Sequence, residues 1–147
     1  MFEKIFSKFV IFCSKEHSAT APTVKASLAG AFIISMLSQP HRLRARRDID
    51  RVFKQGMVFH TSQLTVRALF SRGAQSRGTV VVSNKTAKKA VDRNRIKRKL
   101  RPILREVFAQ TKRPVDIILI AKTLANKSDF QQLHVSVFFA CKKMDIL

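Results

Sequence analysis

After residue 36, the first helical pattern of apolar residues lies between residues 48 and 56. Ile49, Val52 and Phe53 recur at a spacing that places them on one face of a helix. Asp48, just before them, is a residue type favoured at the N-cap of a helix. Gly56, just after them, is favoured at the C-terminal end of a helix. We therefore predict a short first helix here.

Three further segments have the pattern of strands. Residues 63–70 alternate, with apolar side chains at even positions and mostly polar ones at odd positions, as in a half-buried strand. Residues 78–83 and 115–121 are apolar runs of the kind found in more buried strands. Residues 57–60 are a candidate for one additional short strand.

Two longer segments have helical patterns. Residues 88–110 form one of them, although Pro102 removes a backbone hydrogen bond to Arg98, so that helix either kinks or stops near Arg101 and restarts. Residues 128–144 form the other, with Ser128 as the expected cap. Its expected buried side chains are Phe130, Leu133, Val137 and Cys141. The order α-β-β-α-β-α predicts an α+β fold in which helices pack on one sheet.

The opening segment, residues 1–35, differs in composition from the rest. Phenylalanines recur there at helical spacing, and an apolar run over residues 26–37 follows. That run of about twelve residues is shorter than the ~20 that a membrane-spanning helix needs. We interpret the segment as a poorly ordered extension or a mis-assigned start with Met36 as the true initiator. A targeting or membrane-contact role is the alternative.

Charge then narrows the class of partner. The 147 residues include 29 Lys and Arg against 9 Asp and Glu, a net charge of +20, and residues 36–147 have the size of one domain. Such a charge favours a polyanion, with nucleic acid first and an anionic membrane second. The two cysteines lie far apart without metal-ligand spacing, which disfavours a disulfide framework or a zinc module.

The helix over residues 88–110 holds the densest charge. Arg93, Lys97, Arg101 and Arg105 are each four residues apart, so they form a row of like charges that weakens the helix unless a partner neutralises it. A phosphate backbone is such a partner. The amide of Asn94 could read a base edge or sugar, or bond the local backbone. The candidate RNA-binding residues are Lys85, Lys88, Lys89, Arg93, Asn94, Arg95, Lys97, Arg98, Arg101 and Arg105.

Protein-only catalysis has little support in the sequence. The four histidines are scattered, and no His and carboxylate pair has the spacing of a general acid and base. The seven acidic residues after residue 35 are spread out, so we expect neither a catalytic residue nor a protein metal site.

Several motifs resemble one known family. Ser83-Asn84-Lys85 and the run Ala90-Val91-Asp92-Arg93-Asn94-Arg95-Ile96-Lys97-Arg98 are similar to the Arg-Asn-Arg signature of the bacterial ribonuclease P protein component. The segments at residues 48–56 and 116–122 resemble that family's first helix and late strand. The resemblance spans about residues 41–143.

This resemblance implies a fold and a function. The fold would be a two-layer α/β sandwich of the ribosomal-S5-domain-2-like type with a left-handed βαβ crossover. The protein would bind a catalytic RNA in a ribonucleoprotein that removes the 5′ leader of precursor tRNA. Mg²⁺ would be held mainly by the RNA subunit and the substrate, and not by a site on the protein. We expect a cytoplasmic protein with no stable membrane association, and we infer no protein partner.

The resemblance also assigns the sites. The signature residues would face the RNA subunit and the leader, and Ile49, Phe53 and Arg67 would lie in a leader-binding cleft. The family usually has Phe where Ile49 stands, often an aromatic residue near Arg67, and Lys where Asn84 stands. A structural RNA-binding protein, such as a ribosomal component, fits the composition and fold class equally well, and only the motif separates the two.

Overall fold

The computed structural model of the protein describes residues 37–147, so the predictions for residues 1–35 and for Met36 lie outside the described residues. Short 3-10 turns occupy Gln39–His41 and Thr123–Asn126. The helices are α1 (Arg46–Gln55), α2 (Ala90–Gln110) and α3 (Phe130–Lys143), and the strands are β1 (Met57–His60), β2 (Leu64–Phe70), β3 (Arg77–Val82) and β4 (Val115–Ala121).

The four strands form one mixed sheet in the order β1-β2-β4-β3. β2 pairs antiparallel with β1 and β4, whereas β3 and β4 pair in parallel and are joined through α2. The α+β class, the βαβ unit and the additional strand at residues 57–60 are therefore confirmed.

Helices cover both faces of this sheet. α2 and α3 bury the main core against one face, and Cys141 of α3 is fully buried there. Burial raises the pKa of the Cys141 thiol to about 12, so this side chain is neutral and serves packing. α1 lies on the opposite face, where Val52 packs against Leu43 and Ile118.

β3 differs from its prediction as a buried strand. It is an edge strand, and Val81 is 38% exposed. On its outer side, a single parallel bridge joins Gly78 to Arg42, and the Leu43 amide donates to the Gly78 carbonyl at 3.0 Å. The arm formed by residues 37–45 thus covers only the start of this edge. An apolar run by itself does not distinguish an edge from a centre.

Two predicted helix caps are wrong. α1 begins at Arg46, and Ala45 is in the cap position. Asp48 lies inside the first turn, where its carboxylate accepts a hydrogen bond from Arg77. α3 begins after Asp129, which forms a capping box with Gln132. The expected cap, Ser128, instead donates its hydroxyl to a carbonyl of the preceding turn.

Two other predictions about the helices also need correction. α2 runs without interruption through Pro102, so the alternative of a helix that stops and restarts is wrong. Phe130 is 36% exposed, although the sequence placed it in the core. It is the first residue of α3, and its ring lies 6.1 Å from the ring of His134.

Candidate nucleic-acid interface

The apolar stripe of α2 fixes which of its side chains face outward. Its buried residues are Ile96, Leu100, Ile103, Leu104 and Val107. With that stripe against the sheet, Asn94, Arg95, Arg98 and Arg105 are exposed, and Lys97 and Arg101 are half-buried. The helix therefore presents a polar, cationic outer surface.

Arg93 begins this surface but also has a structural contact. Its Nη1 donates to the Ala87 carbonyl at 3.0 Å and to the Lys88 carbonyl at 2.7 Å. These bonds tie the turn before α2 to the helix. The exposed side chains of Lys88 and Lys89 in that turn are thereby held beside the first turn of α2.

The same turn is anchored at its other end. The buried Thr86 hydroxyl donates to the Ala121 carbonyl at 3.0 Å, and the Thr86 amide donates to the Ser83 hydroxyl at 3.2 Å. Lys85 is exposed between these anchors. All three predicted lysines thus lie on one ordered turn next to α2.

A cavity of about 270 Å³ opens between α2, the arm and the edge of β3. Four of its lining residues are cationic: Arg42, Arg44, Lys97 and Arg101. Among the described residues, no carboxylate lines it, and Thr79 adds a hydroxyl. Such a set of donors matches a phosphate group.

The sequence prediction included Lys97 and Arg101 but missed Arg42 and Arg44. The only available signal was the cluster of arginines at positions 42, 44, 46 and 47. Positions 42, 44 and 46 alternate as in a strand, but this local spacing does not show which other element the arginines approach. The structure shows that the arm returns to the edge of β3 and so brings two of these arginines to the cavity.

Within residues 37–147, three carboxylates that pair with arginines lie on elements other than α2. Asp48 and Asp50 lie on α1 and Asp116 lies on β4, where each forms an ion pair with an arginine. Glu106 of α2 contacts His134 of α3 at 2.8 Å. α2 itself carries two carboxylates, Asp92 and Glu106. Acids on this helix therefore offset only a small part of the positive charge on its outer surface.

The three residues predicted for a leader cleft, Ile49, Phe53 and Arg67, lie on α1 and β2. Phe53 is 40% exposed on α1, and the guanidinium carbon of Arg67 lies 4.9 Å from the centre of its ring. Arg67 Nη1 also donates to the Phe53 carbonyl at 2.9 Å. Ile49, in contrast, turns inward and packs against the small core around Val52. The structure thus brings Phe53 and Arg67 together and leaves Ile49 mainly a packing residue.

Within residues 37–147, no group of three His, Cys, Asp or Glu side chains is arranged to hold a metal ion. The donors that Mg²⁺ prefers are carboxylates. The described acids are instead spread over α1, α2, β4 and the residues that flank α3, so this part of the chain does not fit a Mg²⁺ site. No helix in the same range is long and apolar enough to cross a membrane.

Comparison with known proteins gives a consistent result. The family model described as Ribonuclease P matches residues 37–145. The chain is 38% identical over 99 residues to the ribonuclease P protein component of a Pseudanabaena species, covering 67% of this chain and 85% of that protein. It is 35% identical over 114 residues to the one from a Cyanothece species, covering 66% and 86%.

Solved structures agree in fold. The RNase P protein of Thermotoga maritima superposes with a TM-score of 0.62 at 28% identity, covering 69% of this chain and 96% of that one. The Staphylococcus aureus RNase P protein gives a TM-score of 0.63 at 27% identity, covering 72% and 96%. The signature on α2, the fold that displays it and the match over most of the chain all agree, and the chain belongs to the ribonuclease P protein family.

Proposed function

We propose that the chain is the protein subunit of ribonuclease P and that its cationic surface binds the phosphates of the RNA subunit and of precursor tRNA. This cationic surface consists of the outer face of α2, the preceding turn, and the cavity lined by Arg42, Arg44, Lys97 and Arg101. The cavity is the observation that carries the proposal, because four cations from separate segments converge there with no carboxylate among them.

The electrostatics support a polyanionic partner. Like charges at successive i, i+4 positions destabilise a helix by a few tenths of a kcal/mol for each pair. A bound phosphate backbone removes this repulsion and releases counterions, which adds to the affinity. A partner with many phosphates thus explains an arrangement that would otherwise only weaken α2.

The protein's role in the reaction is binding and orientation. Hydrolysis of the precursor, which removes the 5′ leader, belongs to the RNA subunit with its Mg²⁺. The described residues contain no group of three potential metal ligands, and their His–carboxylate contact, between His134 and Glu106, does not line the cationic cavity. The protein holds the precursor near that centre through α2 and through the cleft beside Phe53. A cytoplasmic location is part of the same proposal.

Reconstitution tests the proposal directly. We would measure cleavage of a 5′-extended precursor tRNA by the cognate RNA subunit at low Mg²⁺, with and without the full-length chain. The exposed pair Arg95→Ala and Arg98→Ala should remove most of the stimulation. The pair Arg72→Ala and Lys127→Ala, with the same charge change on other exposed loops, should retain it.

Other results would contradict the proposal. Cleavage by the protein alone would place the chemistry in the chain. A wild-type chain that binds the cognate RNA tightly without stimulating cleavage would favour a structural RNA-binding role. Equal losses of stimulation for both variant pairs would show that total charge, and not the surface on α2, determines the effect.

A further inference from the structure

Arg67 occupies the middle of the sheet face that carries α1. It lies on β2, opposite Val58 of β1 and Ile118 of β4. From this position its side chain reaches the last turn of α1. Its side chain thus joins the centre of the sheet to the end of that helix.

The carbonyl groups at the end of α1 need hydrogen-bond donors from outside the helix. The carbonyls in the last turn of a helix lack partners within the helix. The Gly56 amide donates to the Val52 carbonyl at 3.0 Å, and Arg67 Nη1 donates to the next one, the Phe53 carbonyl, at 2.9 Å. A cation at this position also interacts favourably with the helix dipole.

The same guanidinium group holds the ring of Phe53. Its carbon lies 4.9 Å from the ring centre, within the range of a cation–π contact. Phe53 is nevertheless 40% exposed, so a large part of the ring is open to a ligand. Its backbone carbonyl and its ring are therefore fixed by one arginine, while its remaining surface stays accessible.

We propose that Arg67 is a positioning residue that holds Phe53 as a stacking surface for an unpaired nucleobase of the 5′ leader. This inference rests on the proposed function. A ring fixed before binding loses less side-chain entropy when a base stacks on it. Arg67 then acts on the leader through Phe53, and its buried Nε is not available to a ligand.

The test uses the reconstituted holoenzyme with full-length chain and two precursors that differ only in leader length. One carries a long unpaired leader and the other a leader of one nucleotide. Arg67→Gln removes the cation–π interaction, so it should raise KM for the long-leader precursor about 2- to 5-fold and leave kcat unchanged. KM for the short-leader precursor should not change.

Three variants separate positioning from other roles. Arg67→Lys can keep a cation over the ring but lacks the planar fork that at the same time donates to the Phe53 carbonyl, so it should raise KM for the long-leader precursor less than Arg67→Gln does. Arg72→Gln, an equal charge change in an exposed loop, should have no effect. In a Phe53→Leu background, which lacks the ring, Arg67→Gln should add nothing further.

Distinct outcomes overturn the inference. It is wrong if Arg67→Gln has the same effect in both backgrounds, since Arg67 would then touch the leader itself. It is also wrong if the wild type prefers the long leader and Arg67→Gln changes nothing, a result that leaves the proposed function intact. If the wild-type chain does not stimulate cleavage at all, both proposals fail.

Discussion

Gly56 ends α1 at a point where two backbones approach closely. A Cβ atom there would overlap the Val52 carbonyl oxygen and lie 3.1 Å from the Ala68 carbonyl oxygen. Its φ of −75° is open to any residue, so the requirement for glycine is one of space and not of conformation. The residue therefore sets how closely α1 lies against β2.

We expect Gly56→Ala to lower the free energy of unfolding by about 1–3 kcal/mol, because backbone atoms must shift to accommodate the methyl group. Urea unfolding of the full chain measures this. Gly73→Ala is the control, since a Cβ there meets only the Ser71 hydroxyl at 3.3 Å. Equal changes in the two variants would show that the close approach at Gly56 is not tight.

Arg67 shows how far a single residue could be predicted. Its predicted place in a leader cleft came from a resemblance, and the sequence offered Phe53 and Arg67 only as separate candidates. Their contact depends on α1 crossing over the centre of β2, which is a long-range property that neither local pattern contains. Arg42 and Arg44 were missed for the same reason.

At the scale of elements, α1 is tied to the sheet by a three-residue ionic network. Arg77 Nε and Nη2 donate to the two oxygens of Asp116 at 2.9 and 2.7 Å, and Nη1 donates to Asp48 at 2.9 Å. Asp116 is 4% exposed. Hydrogen bonding to Asp116 is the main reason that the pKa of Arg77 is raised, and the charges of both carboxylates add to it.

We expect Arg77→Met to destabilise the fold by about 3 kcal/mol, because it leaves the buried Asp116 carboxylate without its cation. Arg51→Gln, which breaks the exposed 3.9 Å pair with Asp48, should cost less than about 1 kcal/mol. Chemical denaturation at pH 7 compares them. A raised arginine pKa means that its contribution to stability is complete at neutral pH and is lost as pH rises through that pKa. Similar destabilisation in both variants would contradict a dominant role for Arg77.

Most elements were predictable because each has a strong local period. The apolar stripe of α2 and the apolar run of β4 predicted bounds that agree with the observed ones to within two residues. The caps at Asp48 and Ser128 were not, because each of these side chains has a tertiary or local partner that competes with the capping role. The edge position of β3 depends on strand order, which follows from the whole sheet.

At the scale of the whole molecule, the cavity beside α2 joins segments about fifty residues apart in sequence. Its arginines come from the arm and its other cations from α2. If these residues bind phosphates, RNA affinity must depend on salt through counterion release.

We expect Arg42→Ala and Arg44→Ala together to flatten a plot of log affinity against log salt concentration by about 0.7–0.9 for each phosphate that the variant no longer neutralises. Binding of the full chain to the cognate RNA subunit over a salt series gives this slope. Arg72→Ala should leave the slope unchanged. An unaltered slope in the double variant would remove the cavity from the RNA interface.

Beyond the bridge between Arg42 and Gly78, the arm leaves the edge of β3 uncovered. An edge strand with open backbone groups is a template on which another chain can add a strand and begin aggregation. β3 contains three successive valines, Val80 to Val82, and the arm covers only its start. Arg42, Arg44, Lys97 and Arg101 stand beside this edge, so an incoming copy would bring like charges together. We therefore expect the cations proposed to bind RNA also to oppose strand addition by a second copy of the chain. This repulsion becomes weaker as the salt concentration rises and screens the charges.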